Sequence, residues 1–143
     1  RGALTWVSLL LIVLVVGGGY LAWVWGPIYY EGYAVKQVVR DYMNQAIKNQ
    51  DDETLRRNMV LKIRSLAQVD GVDAYGRPAR LPAITLEERD VTWERTASQP
   101  PMLRVSFEYA REVTYPILER ATTKVFVVDL SSELTVADWG PPR

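Results

Sequence analysis

Residues Ala3–Trp25 read ALTWVSLLLIVLVVGGGYLAWVW, and the stretch without any charge extends from Gly2 to Tyr30. A helix needs about 20 predominantly apolar residues, at about 1.5 Å each, to cross roughly 30 Å of hydrocarbon. This run meets that requirement. A buried core helix rarely stays uncharged for so long, and the apolar core of a signal peptide spans only about 7–15 residues. The reading is a membrane-type helix that carries a small water-facing domain.

Composition agrees once the chain is divided. Its 143 residues include 17 basic and 17 acidic side chains, and every acid lies at Glu31 or beyond. Residues 31–143 are therefore an ordinary charged domain, large enough for one modest core. The balanced charge argues against a nucleic-acid binder, which needs a basic stripe. There is no cysteine, hence no disulfide or thiolate chemistry, and this leaves the redox compartment open. Histidine is absent as well.

Arg1 precedes the apolar run, while Lys36, Arg40 and Lys48 follow it. A simple positive-inside count would keep the domain in the cytoplasm. A short basic segment upstream of Arg1 would reverse that count. The expectation is an amino end in the cytoplasm and a domain outside.

Two features interrupt the run. Gly17, Gly18 and Gly19 lie together in its middle, and each costs a helix interior about 1 kcal/mol relative to alanine. Gly26 and Pro27 follow near its end, where proline removes a backbone donor and would kink the helix. These residues mark either a close helix–helix contact, since small residues let backbones approach, or a segment that melts in an assembled state. Trp23, Trp25, Tyr29, Tyr30 and Tyr33 cluster at the same end. They form either an interfacial aromatic belt or a packing surface for neighbouring subunits, and the two are compatible.

Beyond Pro27 the helical period continues. Val35, Val38, Val39, Tyr42 and Ala46 make one apolar stripe, with Lys36, Gln37, Arg40, Asp41 and Lys48 opposite, so an amphipathic helix is expected to end near Asn49. Asp51 or Asp52 then caps a second helix with Leu55, Met59, Ile63 and Leu66 on its buried face and Gly71 at its end. Residues 70–83 hold two glycines and two prolines without periodicity and read as a surface loop. After them the period becomes two. Strands are expected over Arg89–Arg95, over Leu103–Ala110 and over Phe126–Val136, although Val125 and Val127 blur the faces of the last. Ala97–Pro101 and Tyr115–Ala121 connect them into an antiparallel meander with one face buried under the two helices.

No catalytic constellation stands out. Glu87, Glu88 and Asp90 form the densest acidic cluster, but Arg89 interrupts it and alternation separates its members. Asp70 and Asp73 around Gly71 lack the further ligands of a calcium loop. There is no phosphate-binding loop. The chain reads as no enzyme, with no catalytic, cofactor-binding or metal site and no cofactor.

Two stretches resemble known families. Arg1–Trp6, R-G-A-L-T-W, followed by the apolar run, resembles the start of type IV pilins and pseudopilins, whose basic leader ends in glycine just before the apolar helix. The plan of a long apolar helix, an amphipathic continuation and a small antiparallel sheet is also similar to theirs. Val7 stands where pilins usually carry a glutamate that pairs with a neighbour's amino terminus, and Arg1-Gly2, which pilin cleavage would remove, is retained. Gly26–Lys36, G-P-I-Y-Y-E-G-Y-A-V-K, resembles a family of short bacterial single-pass proteins known only as a domain of unknown function.

The resulting expectation is an α+β fold: a long amino-terminal apolar helix, a second amphipathic helix and a three-stranded antiparallel β-meander. Residues 1–28 form the transmembrane or filament-core helix, 29–70 the amphipathic helices, and 71–143 the loop and sheet that complete one globular head. The pilin resemblance implies a structural subunit that packs its apolar helix against copies of itself in an extracellular filament, after residence in the membrane. The alternative is a single-pass inner-membrane accessory protein with an extracytoplasmic domain in a membrane complex. Neither involves nucleic acid.

Overall fold

The computed structural model describes residues 5–135. Arg1, Gly2 and Ala3, on which the leader-like motif rests, and Val136 at the end of the last expected strand lie outside the described residues. Helix α1 runs from Trp6 to Gln45, 40 residues, and Thr5 caps it by accepting the Ser8 N–H through Oγ1 at 3.4 Å. At about 1.5 Å per residue that is a rod of about 60 Å, twice a hydrocarbon core.

The rod is unbroken. Gly17, Gly18 and Gly19 are helical, and Pro27 lies inside the helix. In the single chain the glycines thus lie in regular helix, while the alternative of a segment that melts concerned an assembled state. Three glycines forfeit about 3 kcal/mol of propensity. Opening the helix there would free several backbone donors and acceptors, each costing several kcal/mol without a partner in an apolar medium. Long apolar flanks on both sides also spare the helix a new nucleation step. Pro27 withholds only one bond, the one that the Trp23 carbonyl would have accepted.

Helix α1 ends at Gln45, four residues before the expected Asn49, and a turn leads to α2, Asp52–Arg64. Asp51 caps α2, accepting the Thr54 N–H at 3.2 Å, and Asp52 and Glu53 in the first turn with Lys62 and Arg64 in the last complement its dipole. The helix stops at Ser65 and not at Gly71. Gly71 instead lies in a strand, because residues 70–83 are not a loop. Strands β1, Gln68–Val72, and β2, Pro78–Pro82, pair antiparallel as a separate hairpin. Its turn is held by Asp73, whose Oδ1 accepts the N–H groups of Tyr75 and Arg77 at 2.9 Å each, and by Gly76 at φ 75°.

The second sheet is the expected three-stranded meander, in the order β3 (Thr92–Thr96), β4 (Met102–Tyr115) and β5 (Arg120–Glu133). Arg89 and Asp90 precede β3 in a 3-10 turn, and the β4–β5 connection is only Pro116–Glu119. Val35, Val39 and Met43 of α1 and Met59 and Ile63 of α2 form one core with Leu103, Val105 and Phe107 of β4 and Val128 of β5. Ile84 and Leu86, in the segment before β3, are fully buried in the same core.

Arg95 joins four parts of the head. Its guanidinium donates to the Ala46 carbonyl at 3.1 Å, the Asn49 carbonyl at 3.2 Å and the Asp52 carboxylate at 3.0 Å through Nε. One side chain of β3 thus satisfies the carbonyl of Ala46, which caps α1, and that of Asn49 in the connection, and fixes the start of α2.

Candidate functional site

Strand β3 pairs with β4 only from Met102 to Ser106. From Phe107↔Val128 to Tyr115↔Arg120, β4 and β5 continue alone as a two-stranded ribbon. Such a ribbon is marginal in water unless one face is covered, and here α1 covers it. Alternation puts Tyr109, Arg111, Val113 and Tyr115 on the covered face, together with Phe126 and Lys124 of β5. The ribbon runs back along α1 toward the apolar run.

An aromatic seam fills the contact. Trp25 meets Tyr29 with ring centroids 6.0 Å apart and meets Tyr115 at 6.4 Å, donating Nε1–H to the Tyr115 hydroxyl at 3.2 Å. Tyr29 sits edge-on to Phe126 at 6.1 Å, and Phe126 stacks on Tyr109 at 5.3 Å. Gly32 lies against the seam, where a Cβ would be in ordinary contact with the Tyr109 hydroxyl at 3.6 Å and with the Phe126 ring. Glu31, the first charge after the apolar run, receives Nε–H of Arg111 at 2.9 Å and Nη2–H at 3.3 Å. Burial, with the Glu31 carboxylate adding to it, pushes the Tyr109 hydroxyl up to about 12. The phenol is held neutral and Glu31 is engaged by arginine, so this seam positions elements.

The aromatic cluster thus divides. Trp25 and Tyr29 pack on the chain's own ribbon, a role that neither the belt nor a neighbouring subunit had anticipated. Trp23, Tyr30 and Tyr33 remain exposed around the same level of the helix, and Tyr29, despite its ring contacts, is itself 58% exposed. Tyr33 also borders a cleft of about 280 Å³ between α1 and β5, lined by Tyr29, Lys36, Tyr109 and Phe126. Gly26 lies on an open side of α1, and so do Gly17, Gly18 and Gly19: a Cβ on any of the four meets nothing within 4 Å. None of the most apolar stretch of α1 is buried by the rest of the chain.

The acidic groups are committed locally. Asp90 accepts the Glu87 N–H at 3.2 Å and Arg89 pairs with Glu87 at 2.7 Å. Asp73 is occupied by its own turn and by Arg77. Among the described residues no group of three or more carboxylates is arranged to hold a metal ion. Sequence reasoning missed Tyr109, Arg111, Tyr115 and Phe126 as partners of the aromatic cluster. The available signal was Arg111 in phase with Tyr109 and Val113, a charge on an apolar face. No family model, no curated protein and no solved structure matches this chain.

Proposed function

We propose that this chain is a non-catalytic, single-pass membrane protein whose α1 anchors a small α+β head at the extracytoplasmic face of the bacterial inner membrane, as an accessory subunit of an envelope complex. The observation that supports this most is the division of α1. Its first half is long and apolar enough to cross a membrane, and none of its most apolar stretch is buried by the rest of the chain. Its second half supplies Val35, Val39 and Met43 to the head's core. An apolar surface of that size needs a bilayer or partner helices around it. The continuous helix through Gly17–Gly19 suits a lone span, in which no neighbour is at hand to satisfy opened backbone.

A second reading, a pilin-like filament subunit, draws support from the open glycine face, which would let another α1 approach closely. Fractionation tests the first reading. The full chain, expressed in a Gram-negative host, should stay in the membrane pellet after alkaline carbonate extraction, and protease added to spheroplasts should digest its head. Release by carbonate, or a head protected in intact spheroplasts, would contradict the anchor or its orientation.

A further inference from the structure

The geometry points to a second membrane contact: the tip of the β4–β5 ribbon, Ile117 and Leu118, inserts into the interfacial layer of the bilayer that holds α1. This rests on the anchor reading of α1 and adds that the head is attached at two points. Both side chains sit at the apex of the Pro116–Glu119 turn, and they are 76% and 61% exposed. Two large aliphatic side chains at a loop apex fit apolar surroundings better than water.

Their level along α1 identifies the surroundings. Tyr109 lies against Gly32, Arg111 against Glu31 and Tyr115 against Trp25, so the ribbon descends the helix toward its apolar half. Between Tyr109 and Tyr115 the strand advances about 20 Å, at about 3.4 Å per residue. Between Gly32 and Trp25 the helix advances only about 10 Å. Lys124 borders the same hollow as Leu21, Ala22 and Trp25, which belong to the apolar run itself. The apex lies beyond Lys124 on the ribbon and therefore reaches the level where the uncharged helix and its exposed Trp23 meet the membrane surface.

The flanking charges fit a lipid surface. Arg120 opposite Tyr115 and Lys124 on the helix-facing side have long stems that let their heads reach phosphate groups. Glu119, next to Leu118 in the turn, and Glu112 are the acidic groups nearby on the ribbon, and both are exposed. A second copy of the chain could also cover Ile117 and Leu118. The bilayer is favoured because continuity with the span brings the apex to it without any further partner.

The chain has no cysteine, so single labels can be placed cleanly. Nitroxide labels on Leu118→Cys, Leu14→Cys and Gln50→Cys would be compared in the full chain, reconstituted in vesicles of phosphatidylethanolamine and phosphatidylglycerol. Gln50 is exposed in the α1–α2 turn, at the far end of the head. Relaxation by oxygen, which partitions into the bilayer, is measured against relaxation by a water-soluble nickel chelate. Oxygen should dominate at Leu118 as at Leu14, with the order reversed at Gln50. If Leu118 behaves like Gln50 while Leu14 stays in the bilayer, the second contact is wrong and the anchor stands. Nickel dominance at Leu14 as well would overturn the anchor and the tip contact together. Shielding of Leu118 from both reagents would mean that protein covers the apex, and this too overturns the proposal.

Discussion

Arg111 and Glu31 close a two-bonded ion pair across the head, 80 residues apart, with both side chains less than one-fifth exposed. The pair fixes the ribbon to α1 at the point where the apolar run ends. Removing one partner leaves a mostly buried charge, and hydrogen bonds to charged groups are worth about 1.5–3 kcal/mol. Arg111→Ala should lower head stability by about 2 kcal/mol in denaturant unfolding, and Arg111→Lys, which cannot make the forked contact, should recover only part. No loss in either variant would mean that the ribbon does not depend on this pair.

Phe107 and Val127 test the faces of the sheet. Phe107 is buried, whereas Val127 is 61% exposed on the outer side. Phe107→Ala should cost about 3–5 kcal/mol, and Val127→Ala should stay within about 0.5 kcal/mol. Equal effects on thermal unfolding would put the helices on the wrong face.

The head begins before the change in composition at Glu31. Trp25 bonds to Tyr115, and Ile28 is buried. A truncated chain starting at Trp25 should be soluble and more stable than one starting at Tyr29. Full burial of an isoleucine is worth about 1.5–3 kcal/mol, so a difference of at least about 2 kcal/mol is expected in urea unfolding. Identical midpoints would show that these residues contribute nothing to the head.

The contrast between these elements explains what the chain made legible. Leu103, Val105, Phe107 and Tyr109 alternate cleanly because β4 is covered on one side only. Val125 and Val127 obscured β5 because the ribbon's free face also carries aliphatic residues. The β1–β2 hairpin gave no periodic signal because most of its side chains are exposed, and only the Asp73–Gly76 turn chemistry could have disclosed it. At Gly17–Gly19 the single chain stays helical despite the glycines' low propensity, since the cost of opened backbone outweighs a few kcal/mol of glycine entropy. Arg95 and Arg111 acquire meaning only from partners far along the chain. Their one local mark is a charge in phase with apolar neighbours.

Stability should depend on pH at both extremes. The hydrogen bonds from Arg95 hold the Asp52 carboxyl below its ordinary 3.8. A lowered folded value means that this contribution is complete above pH 3.8 and is lost as pH falls through the lower folded value. The stability difference between the native chain and Asp52→Asn should therefore shrink as acid is added below pH 3.8. Tyr109 is raised from 10.0 to about 12, mainly by burial. Its contribution is complete below pH 10 and is lost as pH rises toward about 12. Denaturant midpoints across both limbs check the signs, and a gap for Asp52→Asn that widens in acid would contradict the first.

Electron cryo-microscopy of native material released gently from the envelope separates a membrane-anchored head from a polymer most directly. Discrete particles in a detergent or lipid belt are expected, each with a continuous α1 through Gly19 and the ribbon apex against the belt. Filaments with α1 helices bundled in their core and opened at Gly17–Gly19 would contradict the single-pass anchor.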